Sequence, residues 1–167
     1  MSCTDESDYW SDMCSCYISF RLKLAGYHVP LSVQTNKVSC LENRLCIVGF
    51  KYENNYDEMM EQILSKLNVS PCLEFSDYSH ICEKYLFPKG SVTADSIIRL
   101  FALSGLLAMK LGYDAIHVEK VVDWMTVFID SKLSNWIEQN GGLSGIIDLC
   151  VSDESHTSAE LCNCACV

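Results

Sequence analysis

Cysteine and histidine are the residue types in this chain best suited to chemistry, because thiolates and imidazoles serve as metal ligands and nucleophiles. The sequence contains 11 cysteines and 4 histidines. No two cysteines stand in a C-x-x-C spacing, and His28, His80, His117 and His156 are scattered along the chain. We therefore expect no catalytic residue, no metal and no cofactor, and predict that the protein is not an enzyme.

Cys162, Cys164 and Cys166 gather thiols on one short segment. C-x-C spacing without a histidine is weak evidence for a metal site. Cys164 also fits a C-a-a-X lipidation pattern, but the residues before it are acidic and a single lipid chain without a basic patch anchors poorly. The sequence starts without an apolar signal segment, which predicts reduced thiols. Three of them are expected to be small buried hydrophobic residues: Cys46, Cys82 and Cys150.

The chain is acidic, with 12 Lys and Arg against 22 Asp and Glu and a formal net charge of -10. This charge would repel a phosphate backbone, so nucleic acid is not expected as a partner. A length of 167 residues with 49% hydrophobic content fits one domain with a real core. We expect a helical domain over residues 1–151 and a flexible, acidic, cysteine-containing tail over residues 152–167, without an integral membrane anchor.

Most of the chain has helical periodicity between glycine and proline residues. Within residues 92–111 the chain is apolar nearly all round from Ile97 to Leu111, which predicts a central helix enclosed by others. Residues 55–68 have methionines and tyrosine on one face and acids on the other. A single helix is predicted over residues 117–139, where apolar residues recur at steps of three and four: Val122, Met125, Ile129, Leu133 and Trp136.

Residues 17–25, YISFRLKLA, fit two structures. Apolar and polar residues alternate as in a strand, while a spacing of three and four through Tyr17, Phe20 and Leu24 fits a helix. An isolated strand would leave its backbone hydrogen-bonding groups without partners, and no other convincing strand is present. We therefore predict a helix.

Residues 121–142, VVDWMTVFIDSKLSNWIEQNGG, resemble the second homology region of the pro-survival Bcl-2 family, which carries a W-I-x-x-N-G-G signature. Weaker similarities to the family's other homology regions follow its order, at residues 17–27, 45–49 and 86–105. The resemblance covers about residues 10–150. Its signature residues, expected to form a tight turn packed on a tryptophan, are Trp136, Asn140, Gly141 and Gly142.

The resemblance implies an all-α fold, a bundle of about eight helices around the central helix at 92–111. It also implies a cytoplasmic inhibitor of apoptosis, recruited to the mitochondrial outer membrane through its partners. These are the amphipathic death helices, termed BH3, of BH3-only proteins, Bax and Bak, which bind in a surface groove. A compact copy without an apolar tail resembles the forms that viruses encode.

The resemblance implies which residues line the groove, position by position. One wall is expected to contain Tyr52, Tyr56, Met60, Ile63 and Leu67. The other wall is expected to contain Cys82 and Leu86, with Leu103 at the floor and with Ser96 and Arg99 at the polar edge.

Two departures from the family pattern bear on this groove. The family's N-W-G-R reads Thr93 to Ser96 here, so the arginine that pairs with an aspartate of the bound helix is missing. Arg99, about one helical turn on, either replaces that arginine or pairs with Asp95. Phe50 stands where a donor of such a helix needs an aspartate, which favours a receptor of these helices over a donor.

The departures leave a second hypothesis open. The chain could be a helical scaffold whose groove is closed or used for self-association, since an open apolar groove is usually covered. Either a monomer or a groove-mediated dimer is compatible with the sequence. A third possibility, a pore-forming effector, would require the central helix to leave the bundle.

Overall fold

The computed structural model describes residues 5–30, 32–33, 39–67, 69–70, 72–111 and 114–152. The tail was predicted over residues 152–167. Ser152 is helical, at the end of the last helix, and residues 153–167, with Cys162, Cys164 and Cys166, lie outside the described residues. Within them the chain is helical and contains no strand, which confirms the all-α prediction. Residues 17–25 are helical as predicted, at the end of the first helix.

The elements follow one another in chain order. They are α1 (Asp5–Leu24), α2 (Cys40–Asn55), α3 (Asp57–Leu67), α4 (Phe75–Tyr85), a 3-10 turn (Pro88–Gly90), α5 (Ala94–Lys110), α6 (Ala115–Phe128), a π-helical turn (Ile129–Leu133), α7 (Ser134–Gln139) and α8 (Gly142–Ser152).

Helix α5 is the centre of the bundle, as its composition predicts. All residues from Ser96 to Ala108 except Arg99 are buried, and the helix packs against α1, α2, α3, α6 and α8. The hydroxyl of Ser104, which is fully buried on α5, lies 2.8 Å from the Tyr78 hydroxyl of α4. In the described ranges, no helix combines the length and the apolar character needed to cross a membrane.

The Tyr17 ring of α1 lies where α1, α2 and α5 meet. It is fully buried, with its centroid 5.7 Å from that of Phe101. A Cβ added to Gly49 on α2 would lie 2.4 Å from this ring, and one added to Gly105 on α5 would lie 3.0 Å from it. The three helices approach this closely because neither position carries a side chain.

A buried ion pair joins α1 to α2 beside this contact. Arg21 donates to Glu53 through two nitrogen atoms, at 2.6 and 2.5 Å, and only 5% and 6% of the two side chains is exposed. The guanidinium also lies 4.9 Å from the Phe50 ring centroid. Burial raises the pKa of the Glu53 carboxyl, and Arg21 offsets part of that rise.

Residues 117–139 are helical throughout, as predicted, but a π-helical turn interrupts the α-helix. The Ser134 N–H donates to the carbonyl oxygen of Ile129, five residues back, and the Ser131 and Ser134 hydroxyls donate to carbonyl oxygens four residues back. The wider turn shifts the buried stripe by one residue. Ile137 is therefore 1% exposed, whereas Trp136 is only half-buried.

The predicted reversal after Trp136 is present, and glycine is required there. Gly141 and Gly142 have φ values of +90° and +70°, whereas Asn140 remains at −112°. The Asn140 side-chain amide donates to the Trp136 carbonyl oxygen at 2.8 Å. The chain thus turns directly into α8, which packs on α2 and α5.

Replacing Gly49 by Ala tests the close approach at Tyr17. In a free helix this change stabilises by up to about 1 kcal/mol, but here the added methyl would overlap the Tyr17 ring. We expect Gly49→Ala to lower the free energy of unfolding by about 1 to 3 kcal/mol, measured by urea denaturation. A stabilised variant would contradict the close packing of these three helices.

Replacing Arg21 by Met tests the buried ion pair. The Glu53 carboxylate would stay buried without its cation, so we expect a loss of about 3 to 5 kcal/mol at neutral pH. Arg21 lowers the pKa of Glu53, so its removal raises that pKa further than in wild type, and the folded variant regains stability as the pH falls and Glu53 is protonated. The loss relative to wild type should therefore shrink from about pH 7.5 to about pH 4.5. The double variant Arg21→Met with Glu53→Leu should recover most stability and lose this pH dependence.

Candidate functional site

The apolar side chains predicted to line a groove come together where α3, α4 and α5 meet. Met60 and Cys82 are fully buried, and Leu103 is 2% exposed. Three more of the predicted set are also in the core: Ile63, Leu67 and Leu86. These residues pack against the rest of the core instead of facing solvent, so the interface between α3 and α4 is closed.

Helix α3 covers this interface with its apolar face. The acids in its first turn and the lysine in its last turn interact favourably with the helix dipole. Only Tyr56 lies between α2 and α3 in the chain. Its outer face is charged, and Glu61 forms an ion pair of 3.1 Å with Lys110 of α5, both side chains being substantially exposed. Because exposed pairs stabilise little, buried apolar contacts hold α3 in place.

A polar cluster lies at the edge of this interface, around Arg99. Its guanidinium carbon is 4.3 Å from the Tyr56 ring centroid, and its Nε is 2.7 Å from Asp95 Oδ2. The contact is an ion pair whose angles do not make a hydrogen bond, so Nε has no hydrogen-bond acceptor among the described residues. The side chains of Arg99 and Asp95 are 26% and 41% exposed, which leaves the pair partly accessible, although the Nε atom itself is buried.

Tyr52 connects this cluster to the last helix. Its ring lies 5.6 Å from that of Tyr56, and its hydroxyl interacts with the Cys150 thiol of α8 and the Asp95 carboxylate. Burial, followed by these two neighbours, raises the pKa of Tyr52 above its ordinary value. The turn at Gly141 and Gly142 therefore contributes to the polar cluster indirectly, because it directs α8 back to Tyr52.

Ser96 occupies the position of the missing arginine and has a structural role. Its N–H donates to Thr93 Oγ1 at 3.1 Å, and its hydroxyl oxygen accepts from the Thr93 N–H at 3.0 Å. This reciprocal cap begins α5. The side chain is 6% exposed and satisfied internally, so Ser96 is not placed to contact a partner.

The structure thus divides the predicted site into two parts. The apolar residues form a closed interface, and the polar cluster contains Tyr52, Tyr56 and Arg99. Sequence analysis did not assign Cys150 to this cluster, and the one available signal was its place on the helix after the double glycine.

Two surface pockets lie elsewhere on the described part of the chain. One, of about 420 Å³, lies between α4 and the π-helical turn and includes Phe87, Phe128 and Lys132. The other, of about 260 Å³, lies between α1 and α8 and includes Trp10 and Leu143. Within the same residues, no three His, Cys, Asp or Glu side chains are grouped to hold a metal ion.

Comparison with known proteins gives sequence similarity to one family. The family model "Apoptosis regulator proteins, Bcl-2 family" matches residues 45–142. Bcl-2-like protein 1 of Gallus gallus is 25% identical over 115 residues, covering 68% of this chain and 49% of that protein. Apoptosis regulator R1 of Xenopus laevis is 23% identical over 114 residues, covering 66% and 49%. The chain spans about half the length of these relatives.

The fold matches a solved structure over nearly its full length. The structure of Trichoplax adhaerens trBcl-2L2 bound to trBak BH3 aligns with a TM-score of 0.75 at 20% sequence identity. The alignment covers 87% of this chain and 99% of that one. At this identity the match establishes the fold, which agrees with the predicted helical bundle.

Two adjacent methionines on α3 test whether the interface is closed in solution. Met60 is fully buried and Met59 is half-buried on the same helix. We expect Met60→Ala to lower the free energy of unfolding by about 2 to 5 kcal/mol, and Met59→Ala to have a clearly smaller effect. Chemical denaturation of both variants measures this difference. Equal small losses would show that α3 does not cover the interface in solution.

Proposed function

The chain belongs to the Bcl-2 family, and we propose that it inhibits apoptosis by binding the BH3 helices of pro-apoptotic proteins between α3, α4 and α5. Its partners would be BH3-only proteins, Bax and Bak, and holding the last two inactive would restrain the permeabilisation of the mitochondrial outer membrane. The protein would act from the cytoplasm and reach mitochondria through these partners.

The observation that carries this proposal is the burial of the apolar set between α3, α4 and α5, with a partly exposed cation at the edge. An amphipathic helix needs an apolar surface for its buried face and a polar contact that fixes its register. Met60, Cys82 and Leu103 supply the first, and Arg99 supplies the second. The matched Trichoplax protein was solved with a BH3 segment bound, which supports the same kind of partner here.

The packing of α2 supports a receptor of such helices over a donor. Leu45 is fully buried and Gly49 lies against the Tyr17 ring, so the face that a donor would present is inside the bundle. Phe50, in place of the donor's aspartate, lies beside the Arg21 guanidinium. Offering this helix to a partner would break the contact that joins α1, α2 and α5.

Binding requires α3 to move, because its apolar face is already occupied. The incoming helix would replace the contacts that Met60, Ile63 and Leu67 lose. The apparent affinity would then be reduced by the fraction of molecules in which α3 is open.

The closed interface also favours a second candidate function, a Bcl-2-fold scaffold that binds no death helix. A fully buried Met60 and Cys82 leave no apolar groove for a partner unless α3 opens. Such a scaffold would act through another surface, as a monomer or by self-association.

Titration with helical peptides tests the two functions. We expect peptides spanning BH3 helices of pro-apoptotic proteins to bind saturably in calorimetry, and Arg99→Ala to weaken the best of them about tenfold through loss of a charge-assisted hydrogen bond. Arg44→Ala is the matched control, because Arg44 forms an accessible ion pair with Asp148 away from the interface. It should leave the affinity unchanged.

The outcomes separate the hypotheses. Binding that is equally insensitive to both arginine substitutions would keep the inhibitor proposal and remove the role of Arg99. Absence of binding across the peptides would remove the inhibitor proposal and favour the closed scaffold.

A further inference from the structure

We propose that Asp95 is a specificity-determining residue of this site, because its carboxylate occupies Arg99 and competes with an acidic residue of an incoming helix. The inference rests on the proposed function, since it concerns how that site distinguishes its ligands. Asp95 would reduce the difference in affinity between acidic and neutral helices without preventing either from binding.

The geometry places Asp95 as an internal substitute for a ligand carboxylate. Asp95 and Arg99 are four residues apart on α5 and therefore share a face, with Asp95 Oδ2 at 2.7 Å from Arg99 Nε. The angle of this contact does not make a hydrogen bond. A guanidinium binds a carboxylate best through two parallel hydrogen bonds, and Asp95 does not provide that arrangement at Nε. Nε itself is buried, but 26% of the Arg99 side chain is exposed, so a better-oriented carboxylate from outside can displace Asp95 at the exposed part of the guanidinium.

The surroundings hold both partners in position for this exchange. The guanidinium of Arg99 lies over the Tyr56 ring, and this contact holds the guanidinium at the edge of the interface. Tyr52 lies beside Asp95 from α2, and Asp95 belongs to the first turn of α5. The positive end of the helix dipole therefore continues to stabilise Asp95 after Arg99 has turned to a ligand.

The competition predicts a specific pattern of affinities. In wild type, an acidic side chain on the peptide must separate Asp95 from Arg99 and then lies near the Asp95 charge. With Asn at position 95 neither cost remains, and the shape of the side chain is nearly unchanged. Removal of the Asp95 charge should therefore selectively strengthen the binding of acidic peptides, and this effect should require Arg99.

The experiment uses a peptide spanning the BH3 helix of Bak, together with versions in which each acidic residue is changed in turn to its amide. Affinities for wild type, Asp95→Asn, Arg99→Gln and the double variant are measured by calorimetry at low ionic strength. Asp148→Asn is the matched control, because it removes one carboxylate from another Asp–Arg pair. Thermal unfolding of each variant verifies that the fold is retained.

We expect Asp95→Asn to bind the unmodified peptide about three- to fivefold more tightly than wild type, the size of a partly exposed ion pair. The gain should disappear for one amide version of the peptide and in the Arg99→Gln background, and Asp148→Asn should show none.

Three outcomes would overturn the inference. Equal affinities of wild type and Asp95→Asn would show that Asp95 does not compete. A gain that persists in Arg99→Gln, or that Asp148→Asn reproduces, would reflect only the lower net negative charge. If no protein binds any peptide, the proposed function fails and the inference fails with it, which is distinct from binding that ignores Asp95.

Discussion

The structure depends on the insertion of the Tyr17 ring between two helices that carry glycine where it contacts them. This contact brings α1, α2 and α5 close enough for Arg21 to reach Glu53 while both are shielded from water. It also sets the direction of α2, whose last turns carry Tyr52 and, just beyond them, Tyr56. A wider separation of α2 and α5 would leave Tyr56 away from Arg99 and would remove the polar edge of the candidate site.

The sequence predicted the elements whose periodicity is unbroken and missed features that depend on tertiary contacts. Helix α5 was predictable because the chain is apolar nearly all round from Ile97 onward, and the helical state of residues 17–25 followed from the lack of a partner strand. The π-helical turn was not predictable, because five residues with an ordinary helical pattern can form hydrogen bonds either four or five residues back. Arg21 has the sequence pattern of an exposed residue, and only the arrival of Glu53 from another helix explains its burial.

The same distinction holds for the candidate site. Resemblance to a known family predicted a groove, and the structure buries its apolar residues in one core. Their role in binding a partner stays a prediction. The resemblance did not predict that α3 covers the interface, since a sequence pattern gives the apolar face of a helix but not the identity of what it packs against. The capping role of Ser96 could have been predicted from the sequence, because Thr93 and Ser96 have the spacing of a reciprocal helix cap.

The closed interface also determines what the polar edge can contribute. Opening α3 would expose Met60, Ile63, Leu64 and Leu67, each worth about 1.5 to 3 kcal/mol when fully buried. The partner's apolar side chains would have to recover most of that free energy. A partly exposed ion pair contributes only about 1 kcal/mol or less. Affinity at this site would therefore follow from how well the partner's apolar face replaces α3, while the charges around Arg99 would decide among partners whose apolar faces fit equally well.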